Sequence, residues 1–396
     1  MALVTKNFSD IITFTRASTA TYFNSAGVLT SAATNAPRFD YNPSTLAAQG
    51  LLIEESRANL FTYSAQFDDA AWLKGGTISA NEIVAPDGTL SADLLTAANT
   101  TFSGSLRQTP TVTSATAYTI SAFVKKNNWR YVGLRFSTST FGATEQVPFY
   151  DFDTDAVSNG GVTGATITRT LVGNGWVRLA MTFTSTSTSG TSQIWITDSN
   201  GATAPAKAGT ESVYVWGAQL EAGAFPTSYI PTTTTALTRA ADVASVNTLS
   251  PWYNASAGAI YFEGVTFDTT PGIFPNAAMF TDGTANNRSG IVRNNSTGNA
   301  RSNVVVGGAA QFAADATAWT LNATAKIALA YAVNDFALVV NGGAATTDTL
   351  GTIPAVDRLR LGVDSVGSNA FLNGYLRRVV FYPRRLSNAE LVSITS

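Results

Sequence analysis

Apolar and polar residues take turns along most of this chain, and turn-forming residues interrupt the pattern roughly every dozen positions. Successive side chains of a β-strand point to opposite faces, so this period builds half-buried strands and does not build an amphipathic helix. From Tyr118 to Lys125, Ile120, Ala122 and Val124 share one face, with Phe123 and Lys125 on the other. From Tyr131 to Phe136 the apolar side carries Val132, Leu134 and Phe136, opposite Tyr131 and Arg135. Trp176 to Phe183 and Gln193 to Thr197 repeat the scheme, with Trp176, Arg178 and Trp195 on the less apolar side. Val213 to Ala218 is apolar on both sides, as a central, doubly covered strand requires. The fold class expected is therefore all-β: two β-sandwich (jelly-roll) domains preceded by an irregular N-terminal arm.

Composition shifts divide the chain. Residues 1–58, dominated by Ala, Thr and Ser, read as an arm that either finishes another molecule's sheet or packs on the domain after it. Residues 59–236 carry the clean alternation of the first sandwich. Tyr229-Ile230-Pro231 and the threonines Thr232 to Thr235 make a stiff, uncharged connector, so residues 237–250 are expected to be a linker. The second sandwich, 251–396, is expected to begin with the strand Gly258 to Phe267. It ends with two apolar strands, Ile327 to Tyr331 and Phe336 to Val340. The second stops at Asn341-Gly342, residues suited to the positive φ of a tight turn. Ser387 with Glu390 three residues on has the spacing of a capping box opening a short helix.

Several function classes fall on composition alone. The chain holds no histidine and no cysteine, which removes the usual general base near neutral pH, the thiolate nucleophile, disulfides and thiolate metal sites. Charged residues are 13% of the total and net charge is −2, with no basic run, so nucleic acid is not an expected partner. The surface must instead be covered by Ser, Thr, Asn and Gly, which suits an extracellular or particle-borne protein. The first residues lack the basic-then-apolar pattern of a signal peptide, and no apolar run approaches the ~20 residues of a membrane helix, so membrane insertion is not expected.

What remains is binding chemistry. Aromatic rings stack on the C–H face of a sugar while guanidinium and amide groups bond its hydroxyls, and the less apolar strand faces offer that mixture in Tyr131, Arg135, Trp176, Arg178 and Trp195. The competing expectation is that the arm or another subunit covers this face. Trp129 and Trp72, in loop-like surroundings, are separate candidates for the same role. Asp151, Asp153 and Asp155 alternate like the start of a calcium loop, so calcium is the one cofactor the sequence leaves open, although Ala156 and Val162 stand where such a loop needs glycine and a bidentate glutamate. An endoglycanase would need paired carboxylates on one strand face. Glu263 and Asp268, five residues apart, fall on opposite faces of a regular strand, so no catalytic residue is assigned.

Two groups of motifs carry a resemblance. The closing order of hairpin, Arg358-Leu359-Arg360-Leu361-Gly362, Asn373 to Tyr382 and the Ser387 helix resembles the laminin-G and concanavalin-A-like superfamily. Phe14-Thr15-Arg16-Ala17-Ser18-Thr19-Ala20-Thr21-Tyr22 pairs with Gly50-Leu51-Leu52-Ile53-Glu54-Glu55-Ser56-Arg57-Ala58-Asn59-Leu60. With Gly175 to Leu179 and Val215 to Gly223, these are similar to tailed-bacteriophage and prophage virion proteins built from an arm, a carbohydrate-binding-module jelly roll and a concanavalin-A-like domain. The resemblance spans nearly the whole chain. It implies a virion structural protein, in a tail fibre, baseplate appendage or head fibre, that contacts host surface polysaccharide or lipopolysaccharide and other virion proteins, with the arm as a virion attachment point. By analogy with other fibres it implies a homo-oligomer, a trimer being the first expectation. It transfers no sugar-contacting residue by position. A purely structural decoration or connector is the alternative, and an endoglycanase a further one.

Overall fold

Strands account for nearly all regular structure in the computed structural model, which describes residues 8–136, 147–203 and 207–396. The first seven residues of the expected arm lie outside that range. Among the described residues the first sandwich has two six-stranded sheets. The front sheet runs Ala156–Ser158, Phe149–Asp151, Tyr131–Phe136, Ser192–Ile196, Ser105–Gln108 and Leu73–Lys74. The back sheet runs Ala165–Gly173, Trp176–Thr184, Ala117–Lys126, Ser212–Ala222, Leu90–Ala97 and Gly76–Val84. Ile120, Ala122 and Val124 of one sheet meet Val132, Leu134 and Phe136 of the other in a common core, which is what alternation demands of two facing sheets.

The second sandwich packs an eight-stranded sheet on a seven-stranded one. Its closing helix, Asn388–Thr395, is opened by Ser387: the Ser387 hydroxyl accepts from the Glu390 backbone N–H, and the Glu390 carboxylate accepts from the Ser387 N–H. This helix lays Leu391 over the outer face of the seven-stranded sheet, against Ala328, Ala330 and Val339.

The arm and the linker differ from expectation. Thr13–Thr15 pairs with Val243–Val246 at the edge of the eight-stranded sheet, and Ala48–Ile53 pairs with Gly374–Tyr382 in the other. Phe14, Leu51 and Ile53 sit in the second sandwich's core. The supposed linker carries two strands, Leu237–Arg239 paired with Arg57–Asn59, and Val243–Val246 paired with Arg358–Leu361. Tyr229 and Ile230, expected in a free connector, are buried on the first sandwich. An isolated short strand has no stability of its own, so both segments read as irregular until their distant partners are known.

A buried clasp of charge holds this arrangement. Asp242 accepts from Arg16 at 3.0 Å and from Arg38, while Arg38 also reaches Glu54 at 2.8 Å and Arg239 approaches Glu54 at 3.5 Å. All five side chains are 5% exposed or less. Ser228 donates both its N–H and its hydroxyl to Glu54, tying the first sandwich into the same cluster. Burial opposes ionisation of Glu54, but Arg239, Arg38 and the Ser228 bonds outweigh it and hold the carboxyl at about 2. A folded-state value below the ordinary 4.5 contributes stability that is complete above that pH and is lost as pH falls towards 2. Thermal melts in that window should therefore lose on the order of 3 kcal/mol from this group, and the Glu54→Gln variant should show a flatter profile.

Candidate functional site

The front sheet of the first sandwich carries a mostly polar row on its outer side, in which Gln193 is itself buried. Its register places Leu73, Arg107, Gln193 and Arg135 side by side on four adjacent strands. At roughly 4.8 Å per strand the row is about 14 Å long, enough for a short oligosaccharide. Leu106, Ile194 and Leu134 fix the orientation, because each is buried inward and so sends its neighbour outward. Arg107 and Arg135 are half-buried, and Nε of Arg107 is a buried donor with no acceptor. Two steps along the same face, beyond the Gly133–Trp195 pair, lies Tyr131, half-buried, with the Phe149 ring edge-on at 5.9 Å and the Arg130 guanidinium 5.1 Å above its ring. Trp129 stands at the rim, half-buried, its indole N–H donating to the Thr197 carbonyl at 2.6 Å.

Three of the tryptophans offered as sugar-stacking candidates, two on strand faces and Trp72 in a loop, are inside the protein. Trp195 shares the face with Gln193 but is 3% exposed, its indole N–H donating to the Gln193 side chain. Val147 closes over Gly133, the cross-strand neighbour of Trp195; a Cβ at Gly133 would come within 2.5 Å of Val147 Cγ2. Trp176 belongs to the back sheet and is also 3% exposed. Its indole N–H donates to the Val84 carbonyl at 3.1 Å, and Leu29, Phe123 and Tyr229 pack around it. Arg178, on the same strand, is enclosed with it and donates to the Thr227 carbonyl and the Ser121 hydroxyl at 2.7 and 2.9 Å. The arm thus covers the back sheet's outer face, the competing expectation stated above, because Leu29 and Phe23 of its hairpin need somewhere to bury. Trp72 is a core residue, between Phe61 and Phe67 with ring centroids 5.1 and 4.9 Å away. The single face expected from alternation is two outer faces back to back, and only Tyr131, Arg135 and Trp129 remain at the surface.

The aspartate turn is held by cations of the protein itself. Arg130 grips Asp151 through two bonds of 2.6 and 2.7 Å, Lys126 pairs with Asp153, and Arg169 reaches Asp155 at 2.6 Å. The hydrogen bond from Arg130 holds the Asp151 carboxyl well below its usual range. Arg130 also approaches Asp153 at 3.5 Å, so each of the three carboxylates is paired with a cation of the protein, and no cluster of acidic ligands able to hold a metal occurs among the described residues. Glu263 and Asp268 are likewise apart. Glu263 accepts from the Tyr261 hydroxyl at 3.0 Å on the outer side of the seven-stranded sheet, whereas Asp268 is buried and accepts from the Asn373 amide and the Thr270 N–H.

No family model and no curated protein matches the sequence. Solved structures similar to parts of it include the Ruminococcus gnavus IT-sialidase CBM40 bound to α2,6-sialyllactose, at 19% identity over 36% of this chain and 85% of that one, with a TM-score of 0.31. Trypanosoma rangeli sialidase is 15% identical over 39% of this chain and 25% of its own, with a TM-score of 0.29. Mouse laminin α1 domains LG4-5 are 10% identical over 80% and 96%, with a TM-score of 0.27. The matches to the trypanosomal enzyme cover between 23% and 55% of its length.

Arg107, like Leu73 beside it, is a member of the outer row that sequence reasoning missed. Its strand, Ser105–Gln108, is too short to display a period, and only the register with Gln193 brings it beside Arg135.

Proposed function

We propose that this chain is a non-catalytic glycan-binding component of a tailed-bacteriophage virion, in a tail fibre, baseplate appendage or head fibre. It acts at the particle surface, where the front-sheet row contacts host polysaccharide or lipopolysaccharide. The observation that carries the binding reading is the row Leu73, Arg107, Gln193 and Arg135, with Tyr131 farther along the same face. It places the half-buried guanidinium groups of Arg107 and Arg135 on the same face as an aromatic ring. The virion setting rests on the motif resemblance and on a surface poor in charge.

A shallow site of this kind gives about millimolar affinity, near −4 kcal/mol. Several copies on one particle raise avidity by ~10²–10⁴ without any new contact, so a homo-oligomer, first of all a trimer, is part of the proposal.

The test is a glycan array and a whole-cell binding assay with Tyr131→Ala and with the double variant Arg107→Ala/Arg135→Ala. Binding should fall roughly tenfold or more with unchanged melting, as expected when about 1.4 kcal/mol of contact is lost. Variants that bind like the parent would remove the front sheet from consideration. The burial of Trp72, Trp176 and Trp195 favours a second reading, a connector between virion proteins. In that case the isolated protein ignores every glycan and co-purifies with capsid or baseplate.

A further inference from the structure

Where the two sandwiches meet they leave a cleft of about 1130 Å³, bounded by the strand around Arg57, the first sandwich's loop at Thr111–Thr116 and the second sandwich's loops at 268–273 and 367–371. One direct tie between the sandwiches here is the Thr269 hydroxyl, which donates to the Ala224 carbonyl at 3.5 Å. A single small ligand fills a pocket of roughly 300–1,000 Å³, so this space suits a length of polymer.

The walls narrow the choice of polymer. Ala58, Ala117, Ala222, Ala241 and Ala370 line much of them, and among the larger apolar side chains Val112, Tyr118 and Phe371 are buried in the cores, which leaves few side-chain pockets of the kind a bound peptide would use. Thr113, Thr116, Thr270, Ser368 and Asn369 contribute hydroxyl and amide groups. Charge is confined to Glu55, Arg57 and Asp268, and both Asp268 oxygens already accept protein hydrogen bonds. No concentration of cations is present to attract a polyanion.

Arg57 is the informative group. Its side chain is 7% exposed and its guanidinium lies 4.9 Å from the Phe225 ring centroid. Nε donates to Glu55 at 2.7 Å and Nη2 also meets Glu55, but Nη1 has no acceptor. That nitrogen takes the room a side chain at residue 223 would need: a Cβ on Gly223, which has φ +135°, would lie 1.3 Å from it. A buried guanidinium donor without an acceptor is costly. Glu55, 31% exposed, supplies an acceptor next to it. Donor and acceptor side by side match the neighbouring hydroxyls of a neutral sugar.

We infer that the cleft is a second carbohydrate site, which takes a linear neutral polysaccharide segment over the Arg57–Glu55 pair. It is independent of the front-sheet row and would stand if that row bound nothing.

The experiment uses the full chain with maltohexaose, cellohexaose and N-acetylated chitohexaose as probes, each against its disaccharide, followed by calorimetry or NMR titration. At least one hexaose should bind at about millimolar or better, and more tightly than its disaccharide. Thr113→Trp and Ser368→Trp replace exposed side chains on opposite walls and obstruct the cleft without touching either core. Each should weaken the hexaose roughly tenfold, whereas Arg107→Ala/Arg135→Ala should leave it unchanged. Binding by no hexaose, or binding unaffected by both tryptophan variants, overturns the cleft site. Loss only in the arginine double variant overturns it too, and leaves the front-sheet reading intact.

Discussion

The Asp242→Ala variant should be destabilised by about 3–5 kcal/mol, a large part of the ~5–15 kcal/mol that holds an ordinary domain together. Asp242 is wholly buried and accepts from Arg16, from Arg38 and from the backbone N–H of Glu54, the last at 3.0 Å. Deleting it leaves Arg16, Arg38 and Arg239 in the protein interior with Glu54 as their remaining buried carboxylate. Uncompensated buried charge, not the loss of one favourable contact, produces the penalty. Asp357→Ala is the fitting control, because that carboxylate, 60% exposed, only pairs with its neighbour Arg358. An exposed pair of this kind is worth about 0–1 kcal/mol. Denaturant titration of the two variants should separate them clearly. An Asp242→Ala protein within about 1 kcal/mol of the parent would mean the cluster is not what joins the two sandwiches.

This cluster also explains which parts of the structure were legible in the sequence. Period-two alternation is local, so the strands and their inward faces, Ile120 with Val124 or Leu134 with Phe136, could be read directly. Alternation names a side of a strand but not the sheet that strand joins. Trp176 and Trp195 therefore looked equivalent, although one belongs to the back sheet beneath the arm and the other to the front sheet. The arm and linker were opaque for a related reason: Thr13–Thr15 and Val243–Val246 are some 230 residues apart in sequence and each has meaning only beside the other. A signal was nevertheless present. In a chain with 13% charged residues, Arg16, Arg38, Glu54, Arg239 and Asp242 fall in stretches otherwise dominated by small and apolar residues, and two of them, Arg16 and Glu54, lie in motifs that carried the virion-protein resemblance. Isolated charges amid apolar residues are what a buried ion network looks like before its partners are known. The parts of that resemblance around Arg16 and Glu54 belong to the clamp between the two sandwiches, and they say little about where a glycan sits.

The same topology predicts that residues 251–396, the natural cut from composition, will not fold alone. Such a fragment lacks Thr13–Thr15, Ala48–Ile53 and Val243–Val246, and with them Phe14, Leu51, Ile53, Ala244 and Val246 of the second core. Each large apolar side chain contributes about 1.5–3 kcal/mol on burial, so the missing set approaches the whole stability of a domain. The damage is also geometric. Gly374–Tyr382 and Arg358–Leu361 would each lose one hydrogen-bonded neighbour, turning two interior strands into edges open to other chains. The fragment should aggregate or bind a hydrophobic dye and unfold without cooperativity. Covalent extension to include residues 8–58 and 237–250 should restore a sharp transition, since these segments supply the absent strands and most of the clasp. A sharp melt and a dispersed amide spectrum from 251–396 by itself would show that the arm only decorates this sandwich. In the full chain the arm supplies strands and core side chains that this sandwich lacks by itself.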